Sequence, residues 1–318
     1  MRRLLFALAC LIAAAALAQP VESNWPRRPV HLVVAHGAGG LSDALGRDLA
    51  ERLERRWGKP VVVENKPSAG GFLATQGVAQ APGDGYQLLL QNSALVMGEL
   101  LLTEVRPQQL FRQIRPVAML GVAPSLLVQR ADGAGTGFRE WQRQARAPGG
   151  IDVASCGNGK AQHFALTMMS ASYGLNLRHI PYNTCAQAAW GILSGAVASA
   201  VLTIEVALPH IRSGKLLALA VTSRERFAPL AQVPSLHELG LLNFDLVTWY
   251  GVFAPLSLPN DLNRRLFEDI KATLQEPGDA ALANSVTYLV RDGADFAKQI
   301  EQDFILYQRL SGSDGGAK

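Results

Sequence analysis

The 318-residue sequence is poor in the groups that most often carry chemistry: three cysteines, six histidines and 7% aromatic residues. No Cys-x-x-Cys or His-x-x-x-His spacing occurs and the histidines are dispersed, so neither a metal centre nor a cofactor is expected. A Gly-x-Ser-x-Gly elbow is also missing, which deprives an α/β hydrolase of its nucleophile. No apolar run reaches the roughly 20 residues of a membrane-spanning helix. There is no fixed-period repeat. Charge of one sign is scarce as well. The formal net charge of +4 falls to +2 without Arg2 and Arg3. The densest basic group, Arg52, Arg55 and Arg56, falls on a predicted helix whose solvated face accounts for it. Nucleic acid is therefore not an expected partner.

What is present begins at the N-terminus. Arg2-Arg3 precede an apolar run from Leu4 to Leu17, closed by the small-x-small pattern Ala16-Leu17-Ala18. Residues 1–18 thus read as a cleaved export signal, and the mature protein is expected in the periplasm. Cys10 follows too short an apolar stretch for a lipid-anchor signal. Cys156 and Cys185 remain, an even number for an oxidising compartment. That count leaves a bond and two separate thiols equally open.

At 48% hydrophobic and 18% charged residues, the chain has the composition of a globular protein long enough for two domains. His31–Ala35 reads as a buried strand, a glycine run breaks it, and Leu45, Leu49 and Leu53 then recur at helical spacing up to Trp57. Val61–Val63, a helix near Leu73–Gln80 and a strand at Tyr86–Leu90 continue the alternation. The same grammar restarts with Pro124–Gln129 extended, Phe138–Arg146 helical, Ile151–Ala154 extended, Ala161–Tyr173 helical, Arg178–Pro181 extended and Cys185–Ser194 helical. Further strands are expected at Ala198–Leu202, Leu216–Thr222 and Thr248–Ala254, and amphipathic helices at Pro259–Leu274 and Ala294–Leu310. The pattern predicts two α/β units on a mostly parallel sheet.

Ligands of such sheets sit beyond the carboxyl ends of the strands, where helix N-termini offer unpaired N–H groups. Two loops have that form. The first is His36-Gly37-Ala38-Gly39-Gly40 leading to Ser42-Asp43, and the second is Ser155-Cys156-Gly157-Asn158-Gly159-Lys160. Both read as anion cradles. A dinucleotide fingerprint at Gly37-x-Gly39-x-x-Ser42 lacks its third glycine. The lipase-like His36–Gly40 loop lacks its elbow. A thiol enzyme built on Cys156 or Cys185 with His163 or His179 conflicts with an oxidising compartment.

The ordered set Trp25-Pro26, Gly39-Gly40 to Ser42-Asp43, Val61-Val62-Val63-Glu64-Asn65-Lys66-Pro67, Gly70-Gly71 and Pro82-x-Asp84-Gly85-Tyr86 continues through the chain. Its later members are Gly157-Asn158-Gly159, His163, Pro181-Tyr182, Leu208-Pro209-His210-Ile211, Gly214-Lys215-Leu216, Val233-Pro234-Ser235 and Trp249-Tyr250-Gly251. In these motifs the chain resembles the substrate-binding proteins of tripartite tricarboxylate transporters, the Bug receptor family, over nearly all of its mature length.

The resemblance implies a type II periplasmic binding protein of the Venus-flytrap kind, with two α/β domains joined by crossover strands. It divides the chain into a discontinuous first domain, 20–126 and 248–318, and a second, 127–247. It implies capture of a small organic anion, a di- or tricarboxylate or related acid, by hinge closure and without catalysis. The expected partners are membrane permease subunits or a sensor kinase, and the expected state is a monomer. One carboxylate would rest on His36–Gly40. The other end would meet Ser155–Lys160 and the Tyr182, Asn183 and Thr184 loop, with Ser93 and Thr203 at further strand ends. Cys156 and Cys185 would fall on neighbouring loops, where a disulfide would stiffen the cleft wall. Cys156, Lys160 and Asn183-Thr184-Cys185 depart from the usual residues of these loops. Ala198 stands where an aspartate is common, which favours a plain carboxylate over an amino acid. A phosphonate or aromatic ligand is the alternative, with Trp249, Tyr182 and Tyr250 as its aromatic contacts. An exported enzyme is a more distant one.

Overall fold

The computed structural model describes residues 25–101, 110–132 and 137–313. The predicted signal and Cys10 lie outside the described residues. In chain order the elements are β1 (Val30–Val34), α1 (Leu41–Trp57), β2 (Val61–Asn65), α2 (Phe72–Ala79), β3 (Gln87–Asn92), α3 (Ala94–Leu101) and β4 (Ile114–Arg130). Then come α4 (Phe138–Arg146), β5 (Ile151–Ser155), α5 (Ala161–Tyr173), β6 (Leu177–Pro181), α6 (Cys185–Leu193), β7 (Ser199–Thr203), α7 (Ile204–Arg212) and β8 (Leu216–Val221). The chain ends with β9 (Val247–Pro255), α8 (Asn260–Gln275), α9 (Ala280–Ala283), β10 (Thr287–Asp292) and α10 (Gly293–Ser313).

Local sequence explains these elements. Helix α1 forms where Leu41, Leu45, Leu49 and Leu53 stand four residues apart, and all four are buried, packed with Val30, Val34 and Leu90 of the sheet. It stops at Gly58, whose φ of 62° lets its N–H return to Glu54 O. In β1, Val30, Leu32, Val33 and Val34 are all buried, as a strand covered by helices on both faces requires.

The sheet runs β2-β1-β3-β9-β4-β7-β5-β6, with β8 and β10 also paired to β4. Strands β1, β2 and β3 are parallel, as are β5, β6 and β7. The sequence reading of a mostly parallel sheet needs correction at the centre. There β9 is antiparallel to both β3 and β4, and β4 is antiparallel to β7, β8 and β10. The reason is connectivity: β4 carries the chain from the side of β1–β3 to the side of β5–β7, and β9 carries it back, so they run against each other.

Strand β4 spans 17 residues, far beyond the six expected. From Ile114 to Pro124 it pairs with β9, and from Ser125 to Arg130 with β7 and β8. The change of partner thus falls between Pro124 and Ser125, two residues before the division expected after 126. Val247 opens β9 by pairing with Pro124. Thr222 pins the crossing: its Oγ1 accepts from Ser125 N–H at 2.8 Å, its N–H donates to Ser125 O, and its carbonyl accepts from Leu246 N–H.

Three apolar clusters follow. One lies under α1 and α8, and another lies under α6 and α7 of the second lobe. The third runs through both lobes, joining Trp249 and Phe253 of β9 to Phe296, Phe304 and Tyr307 of α10 and to Phe164 of α5. Trp249 is buried there, its indole N–H donating to Asp303 at 2.7 Å. That packing withdraws it from the aromatic-ligand reading.

Candidate functional site

The loop after β1 and the loop after β5 are near enough for the Lys160 charge to act on His36. The loop after β1 is held by Asp43, in the first turn of α1. Its buried carboxylate accepts from Gly39 N–H at 2.9 Å and from Asn65 Nδ2 at 2.9 Å, and pairs with Arg47 at 3.0 Å. Burial pushes the Asp43 pKa up, but these donors outweigh it and leave the group below its ordinary value. Asp43 therefore spends its charge on shaping the loop. Gly39 adopts φ of 85°, and a Cβ on Gly37 or Gly39 would meet nothing within 4 Å. Gly37, Ala38, Gly39 and Gly40 are all exposed. Ser42 is buried, its Oγ accepting from Asn92 Nδ2 at 3.4 Å.

The loop after β5 is braced from behind. Ser155 is fully buried, its Oγ 2.6 Å from His179 Nε2 and accepting from Gly157 N–H at 3.2 Å. Gly159 N–H donates to His163 Nδ1 at 3.1 Å, and the His163 and His179 rings stack at 4.2 Å. Burial, aided by His163, lowers the His179 pKa to about 4. Cys156 is bonded to Cys185, with Cα atoms 4.2 Å apart, which ties this loop to the start of α6. With both sulfurs consumed, neither is available as a nucleophile. Asn158 and Lys160 are exposed, and Lys160 Nζ donates to Asn183 O at 3.4 Å. A cavity of about 360 Å³ lies behind this loop between α5 and β6, lined by His163, Leu166, Thr167, Ser170, Ala171, Leu177 and His179.

Both loops deliver the chain into a helix whose first turn has no side-chain cap: Gly40 starts α1 and Lys160 starts α5. The leading N–H groups of such a helix lack intrahelical acceptors and carry the positive end of its dipole. Helix α6 differs, because Thr184 caps it by accepting from Gln187 N–H at 3.2 Å. Tyr182 also turns away from this role, its hydroxyl packing against Gly191 of α6, where a Cβ would stand 2.3 Å from it. Asn183 offers its carbonyl to Lys160 Nζ and is exposed.

Buried polar atoms without partners sharpen the picture. Among the described residues they are His36 Nδ1, Ser93 Oγ, Thr203 Oγ1, Asn263 Oδ1 and Tyr288 Oη. The first three follow or end β1, β3 and β7. A buried polar group is ordinarily satisfied, and these three stand at the ends of β1 and β3 and, beyond the intervening β9 and β4, of β7. The His36 pKa is lowered to about 4, by burial first and by the Lys160 charge second. That coupling joins the loop of one lobe to the loop of the other. Burial also lowers the Lys160 pKa. Polar groups, two uncapped helix starts and one ammonium thus stand at the ends of these strands.

Sequence reasoning missed two residues here. Asn92 ends β3 and connects Ser42 to Ala94, whose N–H donates to Asn92 Oδ1 at 2.9 Å. Glu205 stands half-buried in the first turn of α7. An acidic residue two positions beyond a strand end was the available signal.

A profile of the tripartite tricarboxylate transporter family receptor matches residues 45–307. The protein BugT of Bordetella pertussis is 34% identical over 259 residues, which cover 80% of this chain and 79% of the relative. The solved structure of the periplasmic binding protein BugD superposes with a TM-score of 0.75 at 28% identity, over 92% of this chain and 99% of that one. A Rhodopseudomonas palustris protein solved with adipate shares the fold, with a TM-score of 0.78 at 22% identity over 92% and 98% of the two chains.

Proposed function

The chain belongs to the tripartite tricarboxylate transporter receptor family, and we propose that it is an exported solute receptor that captures a small organic acid by closing its two lobes. The observation that carries this reading is the set of orphaned polar atoms His36 Nδ1, Ser93 Oγ and Thr203 Oγ1, together with two helix N-termini that no side chain caps. A carboxylate accepts from N–H and O–H donors and is attracted to a helix N-terminus and to Lys160. Adipate in a protein of the same fold agrees with that chemistry. The ligand stabilises the closed state because it bonds to both lobes at once, while the open state offers it one. β4 and β9, with the Thr222 clasp, are the segments across which the lobes would move. The closed receptor would then present a joint surface to permease subunits or to a sensor kinase.

Turnover has no support in the geometry. The Ser155 and His179 pair looks like a nucleophile and base, yet Ser155 is fully buried and its oxygen is occupied by Gly157 N–H. The test is thermal unfolding of protein refolded to remove bound solute, against di- and tricarboxylates, aromatic acids, amino acids and phosphonates. A ligand at a hundred times its dissociation constant stabilises by about 2.7 kcal/mol, which raises Tm by about 5 °C in a chain of this size. A response to one carboxylate class is expected. A flat response to every acid in the panel overturns the reading.

A further inference from the structure

None of residues 155–160 lines the cavity that lies behind them. That cavity sits at the outer edge of the sheet, because β6 ends the strand order and pairs with β5 alone. One face of α5 lines it through His163, Leu166, Thr167 and Ser170, and β6 adds Leu177 and His179. Arg178, between those two, alternates to the opposite face and pairs with Asp152 at 2.6 Å. Among the described residues the lining thus holds no lysine, arginine, aspartate or glutamate; it offers aliphatic carbon, two hydroxyls and two imidazoles stacked at 4.2 Å. Burial first and His163 second lower the His179 pKa to about 4, which leaves that ring neutral near pH 7. The Ser170 hydroxyl and His179 Nδ1 are unengaged among the described residues. At about 360 Å³ the space lies in the range of small-molecule pockets, and it exceeds the roughly 150 Å³ cavity that takes up benzene.

Both imidazoles also hold the loop after β5. His163 Nδ1 accepts from Gly159 N–H at 3.1 Å, and His179 Nε2 lies 2.6 Å from Ser155 Oγ, which accepts from Gly157 N–H at 3.2 Å. The rings are a shared wall, bonded to the loop and lining the cavity. A group that lines a void lacks packing on that side, so a molecule seated there adds contacts to both rings and restricts them. We propose that this cavity is a second binding site, for a small uncharged aromatic molecule bearing a hydroxyl group, and that its occupation tightens the hold of the loop on the acid. A wall without a cation excludes an acid, since a buried unpaired carboxylate is costly. The stacked imidazoles favour a ring over an aliphatic chain, and Ser170 with His179 Nδ1 gives its hydroxyl partners. With the rings fixed, Gly157 and Gly159 are held in place before the acid arrives, so each molecule strengthens the binding of the other. This coupling rests on the organic-acid reading above, whereas the second site does not.

The test follows the His163 and His179 ring signals by NMR in refolded protein as phenol, benzyl alcohol, toluene or benzoate is added. Calorimetry then measures the best acid with and without saturating phenol. Phenol and benzyl alcohol should shift both rings saturably, toluene more weakly and benzoate not at all, and phenol should tighten the acid about fivefold. Ser170 is half-buried and Ala171, also in the lining, is exposed, so Ser170→Phe and Ala171→Phe each fill the cavity from its mouth. Either variant should lose the phenol response and keep its affinity for the acid, with the Tm of each as the check on folding. Rings that no uncharged aromatic shifts overturn the second site, as does a phenol response that survives both folded variants. Benzoate binding as well as phenol overturns the assigned chemistry. Phenol bound in the cavity with the acid affinity unmoved overturns the coupling. Phenol bound there while no acid binds at all leaves the second site standing and overturns the organic-acid reading.

Discussion

Replacing Lys160 with methionine tests whether the two lobes share one cleft. Methionine keeps an unbranched apolar stem and deletes the ammonium. In the free protein that ammonium has little to lose: burial lowers its pKa, and its bond to Asn183 O is long at 3.4 Å. The ligand-free Tm should therefore stay within about 2 °C of wild type, since exposed substitutions of this kind change stability by about 0.5 kcal/mol. Affinity should respond differently. A hydrogen bond from a charged donor contributes about 1.5–3 kcal/mol, so the dissociation constant should rise by about 10- to 150-fold. A second readout is independent of ligand. Lys160 is the lesser of two causes that bring the His36 pKa to about 4; without it the value should rise, yet stay below the ordinary 6.5 because burial is the greater cause. Calorimetry of the wild type and Lys160→Met with the best acid, together with an NMR titration of the His36 ring, would measure both effects. An unmoved His36 combined with affinity within threefold of wild type would refute a shared cleft.

The histidines also set a pH dependence. His36 and His179 titrate near 4 when folded, chiefly through burial, and near 6.5 when unfolded. The unfolded chain binds more protons between these values, so stability should fall as pH drops from about 6.5 to 4 and level off below. The His36 share is about 3 kcal/mol, and urea unfolding of His36→Gln should lose that much less than wild type across the window; an identical pH slope would refute it. The Cys156–Cys185 bond closes a segment of 29 residues, so a double serine variant should lose about 4 kcal/mol by chain entropy, read by denaturant midpoint under non-reducing conditions. Asp43→Ala removes the acceptor of Gly39 N–H and one of the two acceptors of Asn65 Nδ2, whose bond to His36 O remains, with an expected cost of about 2 kcal/mol and a loss of ligand response, which unfolding curves with and without acid would separate.

Helices with a clean apolar period were legible from sequence: Phe138–Arg146 and Ala161–Tyr173 begin and end where the pattern places them. Strand β4 was not, because Pro116, Gly121 and Pro124 punctuate it like a loop. The structure absorbs these residues at register shifts between Pro116 and Ala118 and between Met119 and Gly121, and at the change of partner after Pro124. Helix α3 carries no polar period, since Ala94–Leu101 is apolar on nearly every side. Strand β10 lies at an edge with alternating exposure, and its partner stretch of β4 had itself gone unread. At the site, glycine loops identified where the backbone turns toward the cleft, but they could not tell which side chains were free. Thr184 stands three residues before Gln187, the spacing of a capping pair, and its hydroxyl is spent on that cap.

That distinction between spent and free groups explains how the site is built. Asp43, Ser155, Asn92, His163 and Thr184 all hold hydrogen bonds to backbone N–H groups, and each fixes a loop or a helix start at a strand end. Their partners are close in sequence, so these loops keep their shape whether or not the lobes meet. His36 Nδ1, Ser93 Oγ and Thr203 Oγ1 hold none, although they stand among the same elements. β1 and β3 lie on one side of the crossing strands β9 and β4, and β7 lies on the other. On the proposed reading, a molecule that satisfies all three spans both sides, and the bonding it completes would favour closure. A ligand too short to span from His36 to Thr203 would satisfy one lobe and leave the other open, so chain length should govern closure as strongly as charge does. A series of acids of increasing length, followed by small-angle scattering, should therefore show contraction only above a threshold length. Equal contraction with the shortest acid would sever binding from the bridging of the two lobes.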